Sequence, residues 1–161
     1  NAQDKSWLTK LFAGPPMRVL SVFPLMTVPV IIYNLLALTG QALSSVDAMR
    51  LRLDTNFMTV PMASGVNWTI TPGHALTSLA LVCLFFELIK STGTGRAAVM
   101  NHAFSLILFI ICLIQFLLMP AFATSVFFIL GTMTLLDVLA GFMVTIASAR
   151  RDFGVDASYA D

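Results

Sequence analysis

The chain has 161 residues, of which 58% are hydrophobic and 11% charged, with a formal net charge of +1. Its mean hydropathy is +0.89. Soluble domains carry about 25% charged residues, and a chain of this length cannot hide so much apolar surface in a water-soluble core. The composition therefore reads as an integral membrane protein, and the small net charge supplies no field that would attract nucleic acid.

In chain order, the stretch DKSWLTKLFAG at positions 4–14 places Trp7, Leu8, Leu11 and Phe12 on one helical face, with Lys5 and Lys10 elsewhere. Residues 1–16 are expected to form a short amphipathic helix in the membrane interface, its lysines near anionic headgroups. The first apolar segment, 17–38, is expected to cross the bilayer as a helix kinked by Pro24 and Pro29. The small residues Gly40 and Ala42 resemble a signal-cleavage site, but the long stretch before Met17 predicts retention of this segment.

The polar connection over 41–73 alternates with period two in MRLRLD (49–54) and again in VNWTI (66–70), with Pro61 and Gly65 between them. The pattern predicts two short strands forming a small outer β-ribbon. A lone two-stranded ribbon is only marginally stable in water. Arg50, Arg52 and Trp68 are therefore candidate contacts with a partner.

Three further apolar segments follow, at 74–89, 97–119 and 121–149, bounded by Pro72-Gly73, Gly93 and Gly95, and Pro120. The expected architecture is an all-α, up-and-down bundle of four transmembrane helices over 17–149, with a polar tail at 150–161. Lys5, Lys10, Arg18, Lys90, Arg96, Arg150 and Arg151 fall on one side of this arrangement, and only Arg50 and Arg52 on the other. The positive-inside rule then places both termini in the cytoplasm, with the bacterial inner membrane as the default location.

Asp137 stands in the middle of the fourth apolar run. A charge at that depth costs at least ~2.5 kcal/mol. Gly131, Thr134, Asp137, Gly141, Thr145 and Ser148 recur at spacings of three or four and form one small, polar stripe. The stripe is expected to pack against protein while Phe128, Leu135, Leu139, Phe142 and Ile146 face lipid. A structural hydrogen bond that fixes helix packing is the leading reading of Asp137, and a proton or ion relay is the second. Glu87 stands one turn before Lys90 and should pair with it. His102 and Asn101 lie at a similar depth on the next helix, so Glu87, Asn101 and His102 form a second candidate proton site. Asn34 and Gln115 share a depth near the outer end and should hydrogen-bond between helices.

Other chemistry is not supported. His74 and His102 lie at opposite ends of the membrane, so one haem cannot be held by both. The residue pattern predicts no metal site, and no cofactor. The loop STGTGR (91–96) is not a phosphate cradle, and neither an HExxH nor a GxSxG motif occurs. Cys83 and Cys112 read as packing residues at different depths rather than as a disulfide. The sequence thus points to a protein that is not an enzyme. The expected function is an accessory or assembly subunit of a larger or self-associating membrane complex, whose partners are the bilayer and other membrane subunits or copies of itself. The alternative is a small transporter, channel or proton-coupled unit that uses Asp137.

Overall fold

The computed structural model describes residues 22–39, 45–91 and 96–157. The amphipathic stretch at 1–16 lies outside the described residues. The described chain is mostly helical, with one two-stranded sheet. Its elements are α1 (Thr27–Leu38), α2 (Val46–Asp54), β1 (Met58–Pro61), β2 (Asn67–Ile70), α3 (Pro72–Ser91) and α4 (Arg96–Leu118). A 3-10 turn (Pro120–Phe122) and α5 (Ser125–Ala157) complete it.

Three helices among the described residues are long and apolar enough to cross a membrane: Pro72–Ser91, Ala97–Leu118 and Ser125–Val144. Their outward faces are uncovered, as with Ile107, Ile110 and Ile114 on α4 and Phe128, Leu139 and Phe142 on α5. Lipid accounts for such faces, because hydrocarbon is as apolar as these side chains. The first apolar segment departs from a simple kinked span. Its described helix has only 12 residues, about 18 Å against a ~30 Å hydrocarbon core. The chain breaks at Pro24, where Thr27 N–H donates to Pro24 O (3.1 Å) and Val28 N–H to Leu25 O (3.0 Å). Pro29 produces no kink, because it sits in the first turn of α1, where its missing N–H is no loss.

Tyr33 fastens α1 to the turn before α5. Its buried hydroxyl donates to Ala121 O (2.9 Å) and shares a 2.6 Å hydrogen bond with Thr124 Oγ1, and its ring packs on Phe122 and Phe127. Asn34 and Gln115 meet as expected. Gln115 Nε2 donates to Asn34 Oδ1 at 2.7 Å, and Asn34 Nδ2 returns a longer bond of 3.5 Å.

The stretch MRLRLD is a helix, not a strand. Ser45 caps α2 by accepting from Ala48 N–H (3.3 Å), and Asp47 sits in the first turn, where a carboxylate favours the helix dipole. Met49 and Leu53 are buried one turn apart, while Leu51 is 73% exposed. The period is therefore helical, and the apparent alternation came from Leu51. Arg52 reaches back to the end of α1, where its guanidinium donates to Leu36 O (3.1 Å) and to Thr39 Oγ1. The first strand forms later than expected. β1 pairs antiparallel with β2, Met58 opposite Ile70 and Val60 opposite Trp68, and Gly65 takes φ 81 in the connecting turn. That left-handed conformation is accessible to glycine without strain.

Helix α3 packs against α1 and α5, and α5 against α4, while α2 lies across the 3-10 turn and the start of α3. The buried apolar core runs through Met26, Tyr33, Leu53, Leu76, Phe122, Phe127 and Leu130. Lys90, in the last turn of α3, marks one end of the three spans, called here the Lys90 end, and the ribbon lies at the other.

Candidate functional site

Near the Lys90 end, α3, α4, α5 and the break before α1 enclose a group of polar side chains. Glu87 is 0% exposed, and each of its oxygens is engaged. Oε2 accepts from Leu25 N–H at 2.7 Å. Oε1 accepts from Asn101 Nδ2 at 2.5 Å and forms an ion pair with Lys90 Nζ at 2.9 Å. Lys90 also donates to Phe23 O at 2.7 Å. The break at Pro24 makes this possible, because it leaves Leu25 N–H and Phe23 O outside the helical ladder, where a buried charge can use them. The positive end of α1 also lies towards Glu87, which favours its charge.

Asp137 belongs to the same centre and is also 0% exposed. Seven residues separate it from Val144, the end of the α5 span, so it lies about 10 Å inside that end. Neither of its oxygens has a hydrogen-bond partner. The Ser105 side chain on α4 approaches the Asp137 carboxyl, but not in hydrogen-bond geometry. Glu87 and Lys90 lie within electrostatic reach of it.

His102, one helical step from Asn101 on α4, rests directly on Gly141 of α5. A Cβ at position 141 would lie 2.2 Å from His102 Nδ1 and 2.6 Å from Cγ, so only glycine admits the ring there. His102 Nδ1 is buried without a partner, as are Asn101 Oδ1 and Ser105 Oγ. Such orphaned groups are rare in folded proteins because each loses its hydration without replacement.

The residues singled out by sequence are thus largely brought together. Glu87, His102, Asp137 and Gly141 share one enclosure, and Thr134 is buried one turn above Asp137, its hydroxyl bonded to Gly131 O at 2.8 Å. Gly131 instead borders an apolar groove of about 290 Å³ between α4 and α5, lined by Phe109, Cys112, Phe116 and Phe128. The side chains of Thr145 and Ser148 lie outside the described residues. Arg50 is exposed and pairs with Asp47 at 3.4 Å. Trp68 is 51% exposed on the ribbon. His74 is far from the centre and caps α3, its Nδ1 accepting from Thr71 N–H at 3.4 Å and its own N–H donating to Thr71 Oγ1 at 3.2 Å.

The chain matches no family model. No curated protein and no solved structure is significantly similar to it either. Sequence reasoning had missed Ser105 and the Leu25 amide. Ser105 was legible as the residue one turn beyond Asn101 on the same face of α4, but the amide depended on where Pro24 breaks the chain. Among the described residues no three His, Cys, Asp or Glu side chains gather as a metal would require. Both cysteines are free thiols, Cys112 buried and Cys83 half-buried.

Proposed function

We propose that this is a small cation- or proton-handling membrane protein, of the transporter, channel or proton-coupled kind, with Asp137 as the group that takes up the charge. One observation carries the reading: Asp137 is fully enclosed, yet both carboxyl oxygens lack a partner. A carboxyl kept only to fix helix packing would be hydrogen-bonded. An intramembrane acid without a partner is instead the expected state of a group that binds and releases a positive charge. The broken first segment supports the same reading, because interrupted helices whose freed backbone groups face a buried polar centre are characteristic of membrane binding sites. Four crossings, with the 17–38 segment spanning as a broken helix, and cytoplasmic termini in a bacterial inner membrane complete the proposal, on the distribution of basic residues.

An accessory subunit is the second reading. The ribbon favours it, because Phe57, Met58 and Trp68 expose 71%, 49% and 51% of their surface there, and a two-stranded ribbon has free edges for a partner strand.

The test is reconstitution of the full chain into vesicles loaded with a pH-sensitive dye and, in a parallel sample, with a sodium-sensitive dye, with an imposed membrane potential. Asp137→Asn should abolish the flux while leaving assembly intact. Flux that survives Asp137→Asn, or no flux from the wild type, rejects the reading. An Asn variant without effect beside an Asp137→Leu variant that fails to assemble would assign the residue a structural role.

A further inference from the structure

We propose that Asp137, Ser105 and Asn101 form a binding site for one small monovalent cation of the sodium class. The inference rests on the cation-handling reading above and names the ion.

The first argument is the balance of donors and acceptors. Five side-chain atoms in the centre have no partner: Asp137 Oδ1 and Oδ2, Asn101 Oδ1, Ser105 Oγ and His102 Nδ1. Carboxylate and amide oxygens only accept, and the serine hydroxyl brings one proton against two lone pairs. The set therefore holds more lone pairs than protons, and an electron-poor ligand satisfies it.

Orientation is the second. The Asn101 amide is fixed by its Nδ2 bond to Glu87. A carboxylate only accepts, so the nitrogen must face Glu87, and Oδ1 must face away from it. Ser105 follows Asn101 by one turn on α4, and its side chain approaches Asp137 on α5. Asn101, Ser105 and Asp137 are exposed by 1%, 1% and 0% respectively, so water does not hydrate them from outside.

Charge and hardness then select the ion. Glu87 is neutralised by Lys90 at 2.9 Å and further satisfied by Leu25 N–H and Asn101 Nδ2. Asp137 thus contributes one uncompensated negative charge. One monovalent cation balances it, whereas a divalent ion would leave a buried positive charge and commonly recruits more carboxylates. Oxygen ligands favour hard cations over the softer transition metals that imidazole and thiolate attract. An anion would meet one hydroxyl donor against a majority of acceptors and an unbalanced carboxylate.

Protons compete for the same carboxyl. The charged groups that act on Asp137 are Glu87 and Lys90 on α3, while His102 on α4 rests on Gly141, one turn from Asp137. Protonation of Asp137 removes the charge that holds the cation, so acid expels sodium.

The experiment is equilibrium binding of radioactive sodium to the purified full chain in nanodiscs, with choline chloride holding the ionic strength constant. The expected result is one saturable sodium per chain, displaced by lithium and by acid but not by choline. Ser105→Ala should weaken binding about tenfold without lowering the sodium-free unfolding midpoint, and Asp137→Asn should abolish it. No saturable binding, or binding unchanged in both variants, overturns the site. Asp137-dependent proton flux without sodium binding would overturn the ion assignment alone and leave the proton-coupled reading standing. Sodium binding without any flux would support the site and reject transport.

Discussion

Substitution of Gly141 by alanine tests the polar centre most directly, because its outcome follows from contact distances. The new methyl would stand 2.2 Å from His102 Nδ1, 2.6 Å from Cγ and 2.7 Å from Cε1. The imidazole must retreat by about 1 Å to reach ordinary van der Waals contact, and α4 and α5 pack closely along this face. Overpacking of this kind costs about 1–3 kcal/mol, while replacing a helical glycine returns up to about 1 kcal/mol. Gly141→Ala alone should therefore range from neutral to destabilising by about 3 kcal/mol. The decisive quantity is the double-mutant cycle with His102→Ala. Without the ring, Gly141→Ala should become stabilising, with a coupling of about 1–3 kcal/mol between the two positions. Thermal unfolding in detergent reads the energies, and NMR of a histidine-labelled sample reads the movement of the ring. Additive energies together with an unshifted His102 resonance would refute the packing of His102 on Gly141.

Two predictions concern the other end of the bundle. Tyr33→Phe should destabilise the protein by about 1–3 kcal/mol, because Ala121 O and Thr124 Oγ1 lose a buried partner; an unchanged unfolding midpoint would contradict it. Asn34→Leu or Gln115→Leu alone should cost about 1–2 kcal/mol by stranding the opposite amide, while the double variant should lie close to wild type; additive losses would show that the amide pair is not a unit.

Much of this arrangement was legible because depth along an α-helix can be counted. Counting from the punctuation placed Glu87 beside Lys90 and brought Asn34 level with Gln115, and both pairs form. The spacing of Thr134, Asp137 and Gly141 likewise identified the buried face of α5. Counting gives depth but not bearing. It could not bring Asp137 to the centre that Glu87 and Asn101 share, since that depends on how α4 and α5 rotate against each other. Nor could it place the break at Pro24, where two prolines competed as kinks and tertiary partners for Leu25 N–H and Phe23 O decided between them. The misreading of α2 has a local cause. Over six residues, helical and extended periods both matched Met49 and Leu53, and the discriminating signal was the Ser45 cap upstream.

Helix α5 does not stop with its apolar span. It continues from Val144 to Ala157 without interruption, and the 20 residues between Asp137 and Ala157 make an arm of about 30 Å. A swing of about 10° pivoting at Asp137 would carry the far tip through roughly 5 Å. Any tilt of the helix at the enclosed carboxyl would therefore be magnified at its far tip, with the rigidity of the backbone as the only linkage required.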